Sequence, residues 1–187
     1  MADCFIIITV NPYIELTLFT IFAFVIPSNM ADPNRIHHII IEWSYPTKLE
    51  NIDTHWKCND NGLYYISRKF GGKESPIYIG ETKRDFITRI NEHYKSVSEF
   101  FDKRGEKYIR LGTIVKPQSL KSYDEIEIKH LLQTIESELV DDLYRRDLAN
   151  ALCNKRQVLS YTEWFKLYIE NIGFRGPLST ELPYIDE

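Results

Sequence analysis

The stretch NGLYYISRKFGGKESPIYIG, residues 61–80, contains two apolar runs separated by a pair of glycines. The first run, Gly62–Phe70, is rich in Tyr and Ile, as is the second run at 76–80, and residues of these types are typical of strands. Gly71 and Gly72 supply the conformational freedom that a tight turn requires. These 20 residues therefore predict a β-hairpin, around which the rest of the fold is organised.

Beyond the hairpin, the period of the apolar residues changes. From Asp85 onward they recur at steps of three or four residues, which predicts an amphipathic helix, and 108–115 returns to the character of a strand. A second, longer helix is predicted to begin at a cap formed by Ser122 or Asp124 and to continue to about Asn154. Outside this core we predict a short strand at 37–43, a helix at 162–170 and an irregular tail from 173 onward. The central order β-β-α-β-α indicates a small α+β fold with helices packed against one antiparallel sheet.

Several polar side chains are placed together by these predicted elements. Tyr64 and Tyr78 lie on the two hairpin strands, whereas Arg89 and His93 are four residues apart and so share one face of the first helix. Considered singly, each of these residues is typical of sheet packing or of a solvated helix face. Their combination and order carry the functional signal.

Glu136 is the most unusual polar residue of the second helix. Its neighbours at i−4, i+3 and i+4 are all apolar, so its carboxylate interrupts an apolar stripe. A buried carboxylate is costly unless it is paired, neutral or bound to a metal ion. A half-buried salt bridge to Lys129 or Arg145 is one explanation, and a role in a metal site is the other.

Taken together, the chain resembles the GIY-YIG nuclease family over about residues 60–155. The resemblance consists of G-L-Y at 62–64, Y-I-G at 78–80, an Arg eleven residues after Tyr78, His93 four residues further on, and E-x-x-L-V at 136–140, followed by Asn154. It implies a three-stranded antiparallel sheet flanked by helices. It also implies a metal-dependent endonuclease that hydrolyses the phosphodiester bonds of DNA.

The resemblance also implies a role for each site residue. Tyr64 and Tyr78 match the signature tyrosines, Arg89 the arginine that holds the phosphate, and Glu136 the ligand of a divalent cation, Mg²⁺ or Mn²⁺. His93 matches a helix position often taken by His or Tyr. These five residues are the predicted catalytic set, whereas Asn154 matches a downstream Asn that we interpret as structural.

Hydrolysis of a phosphodiester requires an activated water and neutralisation of the developing charge. A tyrosine is a weak base at neutral pH because its ordinary pKa is about 10. Tyr64 could act as a phenolate stabilised by nearby positive charge. Alternatively, it could orient the water while another group, such as His93, accepts the proton.

One position departs from the family pattern. Some relatives carry Lys three residues after the second tyrosine, where this chain has Glu81. The change removes a positive charge that could lower the pKa of a tyrosine, although Lys83 or Lys69 could replace it. Glu81 therefore motivates an alternative function, in which the same fold binds nucleic acid or protein with weak catalysis or none.

The net charge is −4, which by itself weighs against a nucleic-acid partner. The charge is unevenly distributed, because residues 61–122 contain 13 Lys and Arg against 7 Asp and Glu, a local excess of +6. This excess lies in the segment that contains the hairpin and the first helix. We therefore expect DNA to be the partner, with a modest affinity that depends strongly on salt.

The first 29 residues differ from the rest of the chain. Nineteen of them are apolar and none is Lys or Arg, but the run at 16–26 is shorter than the approximately 20 residues needed to span a bilayer. The segment could be a peripheral arm, a weak membrane anchor, or an extension upstream of a true start at Met30, which we favour. We divide the chain into this segment (1–29), an N-terminal extension (30–60), the nuclease-like domain (61–155) and a C-terminal extension (156–187).

Three widely spaced cysteines and five histidines show no zinc-ligand or redox spacing. This pattern is typical of a reduced cytoplasmic protein. Because the apolar run at 16–26 is short, we expect no stable membrane insertion.

Overall fold

The computed structural model describes residues 36–96, 104–117, 123–154 and 166–184, and within the first range it describes side chains as far as residue 92. The strands are β1 (Ile36–Trp43), β2 (Thr47–Lys48), β3 (Gly62–Phe70), β4 (Lys73–Thr82), β5 (Glu106–Lys116), β6 (Lys166–Gly173) and β7 (Glu181–Leu182). The helices are a 3₁₀ segment (Leu49–Thr54), α1 (Phe86–Ser96) and α2 (Glu125–Arg145).

The strands form a single mixed sheet of seven strands in the order β4-β3-β5-β1-β6-β7, and β2 also pairs with β5. The predicted fold class, a small three-stranded antiparallel sheet flanked by helices, is therefore wrong: the sheet is larger, mixed and curled, and helices are few. The additional strands come from both ends of the described chain. β1 pairs antiparallel with β5 through residues 40–43. On its other side, all eight residues of β1 pair parallel with β6. The sheet thus unites strands from 30–60, 61–155 and 156–187.

The predicted hairpin is confirmed. β3 and β4 pair antiparallel from Gly62↔Thr82 to Phe70↔Lys73, and the connecting Gly71 and Gly72 both have positive φ, which glycine adopts at little cost. The register shifts by one residue after Ile66, so β4 contains an extra residue at this point. Such a bulge increases the twist of the strand and redirects the side chains that follow it.

The core occupies both faces of the sheet, with β3 between them. Six consecutive residues at the start of β3 are buried, which explains why its apolar run is nearly continuous rather than alternating. Leu63 and Tyr65 pack in the cluster that contains the apolar stripe of α2. Tyr64 and Ile66 pack in the cluster formed with α1 and the 3₁₀ segment. Alternate residues of one strand therefore connect the two layers.

The helix α2 begins with a complete capping box. The Asp124 carboxylate accepts hydrogen bonds from two backbone N–H groups of the first turn, and the Glu127 side chain accepts one from the Asp124 backbone. Of the two predicted caps, Ser122 lies outside the described residues. The helix ends at Arg145, so the prediction that it continues to about Asn154 is wrong. The residues that follow turn back toward β4.

The C-terminal part of the chain contains a strand where a helix was predicted. Residues 162–165 lie outside the described ranges, but β6 begins at Lys166 and its first six residues alternate between half-buried and buried. Asn171 of β6 accepts a hydrogen bond from the Trp43 indole at 2.8 Å, which joins β6 to β1 across 128 residues of sequence. The burial of every second residue and the bond to Trp43 together explain why this segment forms a strand rather than a helix.

No helix within the described parts of the chain is long and apolar enough to cross a membrane.

Candidate active site

The two hairpin tyrosines lie side by side on the face of the sheet that packs against α1. The register pairs Tyr64 with Gly80 and Ile66 with Tyr78, so all four residues share one face. The tyrosine rings are stacked, with centroids 6.0 Å apart and an angle of 24° between their planes. A Cβ added at Gly80 would overlap the Tyr64 ring and lie 2.7 Å from the Tyr78 ring. Glycine at this position is therefore required by the close approach of the two rings.

Arg89 reaches this pair from α1. Its guanidinium makes a hydrogen bond to the Tyr64 hydroxyl, and its charge acts on both tyrosines. About a third of its side chain (35%) is exposed. The group is thus bonded to Tyr64 and still partly exposed, an arrangement that suits binding of an anion.

Glu136 approaches from α2 and is oriented by Asn154. The Asn154 carboxamide bonds both backbone groups of Ile79, accepting from its N–H at 2.8 Å and donating to its carbonyl at 2.7 Å. The same amide nitrogen lies 3.3 Å from Glu136 Oε1. Asn154 therefore covers the free edge of β4 and positions the carboxylate, in line with the structural role predicted for it.

Burial raises the pKa values of both tyrosines. The pKa of Tyr78 is raised to about 12 by burial and the Glu136 charge, although Arg89 acts in the opposite direction. The Tyr64 hydroxyl is more deeply buried, and its pKa is raised still further by burial and by Tyr78. In the free protein, both groups are therefore neutral phenols at physiological pH.

Burial also raises the pKa of Glu136, to about 7, with the Glu81 charge contributing and Arg89 opposing the shift. Glu81 itself is half-buried, and burial raises its pKa against the charges of Arg89, Lys129 and Lys83. The two carboxyl groups thus share one electrostatic environment. The charge of each carboxylate disfavours ionisation of the other acidic groups nearby. A cation bound between the two carboxyl groups would instead favour their charged forms.

Four of the five predicted catalytic residues meet at this site: Tyr64 and Tyr78 from the hairpin, Arg89 from α1 and Glu136 from α2. His93 lies in α1, but its side chain is outside the described part of the structure. Of the predicted structural partners of Glu136, Arg145 instead forms an ion pair with Asp141 at 2.8 Å.

Sequence reasoning missed two members of this region, Arg84 and Glu92. Glu92 bonds Arg84 at 2.7 and 2.6 Å and lies 3.6 Å from the Arg89 guanidinium. The i,i+3 spacing of Arg89 and Glu92 was a usable signal, because residues at this spacing are neighbours on a helix. Arg84 gave no such signal, since it lies in the loop before the helix and eight residues from Glu92.

Comparison of the chain with protein-family models, with curated proteins and with solved structures finds no match. Function must therefore be inferred from the residues of this site and their geometry.

Proposed function

We propose that the chain is a metal-dependent endonuclease of the GIY-YIG type, which hydrolyses phosphodiester bonds in DNA. One observation carries this proposal: four side chains that span more than 70 residues of sequence interact electrostatically at one place. They are Tyr64, Tyr78, Arg89 and Glu136. Packing alone does not require two tyrosines, an arginine and a carboxylate at the same place on a sheet. Phosphoryl chemistry does require an anion-binding cation, proton-transfer or water-orienting groups, and a carboxylate.

Arg89 would bind the scissile phosphate. Its guanidinium is permanently charged and offers a planar set of donors that matches two phosphate oxygens. The hydrogen bond to Tyr64 restricts its rotation before the substrate arrives, so less conformational entropy is lost on binding. The developing negative charge at the phosphate would then face a cation that is already in place.

Tyr64 would orient the attacking water rather than accept a proton from that water. A buried phenol with a strongly raised pKa is a poor base but a good hydrogen-bond donor and acceptor. Of the two roles that remained open for Tyr64, its raised pKa disfavours the phenolate. Tyr64 is 0% exposed in the ligand-free protein, so water would reach its hydroxyl only when substrate binding opens the site. The proton acceptor would be a different group, and His93 is the candidate on α1.

Glu136 would hold a divalent cation, Mg²⁺ or Mn²⁺, with Glu81 as its neighbour. Within the described residues no cluster of three or more His, Cys, Asp or Glu could hold a metal, so water and phosphate oxygens would complete the coordination. Hard cations of this kind accept such a set of oxygen ligands. When bound, the cation would stabilise negative charge on the phosphate and on the leaving oxygen.

The distribution of charge and of thiols supports the partner and the compartment. The local excess of positive charge in 61–122 lies in the segment that supplies Tyr64, Tyr78 and Arg89, which supports DNA as the substrate. Cys58 and Cys153 are both free thiols, which supports a reducing, cytoplasmic location.

The test is plasmid nicking by the wild type and by Glu136→Gln, in Mg²⁺ and in Mn²⁺. We expect the wild type to nick and Glu136→Gln to lose activity by at least about 100-fold, because the neutral amide is a weak ligand. Glu138→Gln is the matched control, since it lies on the same helix but about 200° around its axis. Equal nicking by Glu136→Gln, with circular dichroism unchanged in all three proteins, would exclude the assignment.

Glu81 favours one alternative, a module that binds nucleic acid or protein without turnover. Its carboxylate lies close enough to Arg89 and Glu136 to affect their charge, where some relatives carry a lysine. If plasmid DNA is bound but never nicked in Mn²⁺ at any pH from 6 to 9, this alternative replaces the nuclease. If Glu81→Lys then acquires nicking activity, Glu81 is the residue responsible.

A further inference from the structure

A carboxylate lies between two arginines on the exposed side of the site. Glu92 accepts two hydrogen bonds from Arg84, from Nη1 at 2.7 Å and from Nη2 at 2.6 Å. Glu92 Oε2, which accepts the bond from Arg84 Nη2, also lies 3.6 Å from Arg89 Nη1. The nearest guanidinium nitrogens of the two arginines are therefore within about 6 Å of each other. More than half of the Arg84 side chain (56%) is exposed, so a ligand in solvent can reach it.

The geometry of this contact also suits a phosphate. Arginine binds a carboxylate and a phosphate in the same two-pronged way, through two parallel N–H groups and two oxygens. Both side chains of this bidentate pair are substantially exposed, so a competing anion can reach Arg84 whether or not the pair also stabilises the helix. A backbone phosphodiester carries the same single charge as Glu92 and is accompanied by the neighbouring phosphates of DNA, so it could displace Glu92 without distorting either arginine.

The first backbone amides of α1 offer no competing anion site. The Phe86 and Ile87 N–H groups donate to the carbonyl oxygens of Asp60 and Cys58, at 2.9 and 3.0 Å. The Asp85 carboxylate accepts from the Thr88 N–H at 2.7 Å. An anion bound beside this part of the helix must therefore be held by side chains, and among the described residues Arg84 and Arg89 both converge on Glu92.

We propose that Arg84 is a second phosphate-binding residue, which holds the DNA backbone phosphate next to the one on Arg89. Glu92 occupies the place of that phosphate until DNA displaces it. This inference rests on the proposed function, since it assumes that DNA approaches Arg89. It adds a substrate-positioning contact outside the predicted catalytic set and explains why two cations converge on one exposed carboxylate.

Binding of a labelled duplex, measured by fluorescence anisotropy in EDTA from 50 to 300 mM salt, tests the proposal without cleavage. For Arg84→Gln we expect Kd to rise about 5- to 10-fold near 0.1 M salt. We also expect the slope of log affinity against log salt to become shallower by about one, the effect of one lost phosphate contact. Arg145→Gln is the control, because Arg145 is also an exposed arginine paired with a carboxylate and lies about 13 Å along α2 from Glu136.

Glu92→Gln separates the two explanations of this cluster. If Glu92 competes with phosphate, its neutralisation should tighten binding about 3- to 10-fold, opposite in sign to Arg84→Gln. If the cluster only stabilises α1, both substitutions should weaken binding together. An unchanged salt slope in Arg84→Gln, or weaker binding by Glu92→Gln, overturns the inference. Failure of the wild type to bind DNA overturns it together with the proposed function, whereas binding without cleavage counts against the nuclease alone.

Discussion

Glu136 is a site residue whose ionisation is linked to the fold near neutral pH. Its pKa is raised from 4.5 to about 7 by burial and by the Glu81 charge. Between these two values the folded chain binds a proton that the unfolded chain has released. The corresponding stability is complete below about pH 4.5 and is lost as the pH rises through about 7.

This linkage predicts a pH-dependent difference between the wild type and Glu136→Gln in EDTA. Glutamine does not ionise, so the variant should gain stability relative to the wild type between pH 5 and 8. The gain should be on the order of 1–3 kcal/mol, or about 5 °C in Tm. Thermal melts across this range measure it. A difference in Tm that stays constant with pH would show that the carboxyl has an ordinary pKa.

At the scale of the element, β4 is an edge strand of the sheet whose outer side is bonded by one side chain. β3 covers one side of it, and on the other side Asn154 replaces a neighbouring strand by bonding both backbone groups of Ile79. The Cys153 N–H donates to the Ile77 carbonyl at 2.7 Å and extends this contact. An edge strand closed in this way is protected from pairing with another chain.

Asn154→Ala should therefore expose the edge of β4 and release Glu136. We expect a loss of about 1–3 kcal/mol, because two hydrogen bonds to one buried residue are removed. Hydrogen exchange should show faster exchange of the Ile79 amide, with nicking reduced alongside it. Asn150→Ala, at an exposed position in the same connection, is the control. Wild-type protection of the Ile79 amide in Asn154→Ala would contradict this role.

At the scale of the whole molecule, the sheet joins segments that are distant in sequence. Asn171 is 1% exposed, accepts from the Trp43 indole, and donates through its own side chain to the Ser179 carbonyl. Asp142 of α2 accepts from Arg146 and from the Ser179 hydroxyl. The C-terminal segment is thus bonded both to the sheet and to the helix that carries Glu136.

Asn171→Ala should consequently destabilise the entire described fold rather than only its C-terminal strands. The expected loss is about 1–3 kcal/mol, since the Trp43 N–H would be left buried without its acceptor. Tryptophan fluorescence and far-ultraviolet circular dichroism should report one coincident unfolding transition. Two separate transitions would mean that β1 and β6 unfold independently of the hairpin. Asn150→Ala, at an exposed position outside the sheet, controls for nonspecific effects.

The amino-acid sequence by itself determined the local elements of this protein. The hairpin, the helix after Asp85, the strand at 108–115 and the start of α2 all follow from apolar period, glycine turns and capping, which act over a few residues. The same local signals identified Glu136 as an anomaly, because an acid within an apolar stripe is visible without knowing its neighbours in space.

Only the tertiary structure decided the size of the sheet and the surroundings of each site residue. The strand β6 forms where a helix was predicted because parallel pairing with β1 connects residues about 130 positions apart, and no local pattern encodes that partner. For the same reason, Arg84 beside Glu92 and Glu81 beside Glu136 emerge only from packing. Electrostatic interactions depend on distance in space and on burial, and the folded chain sets both.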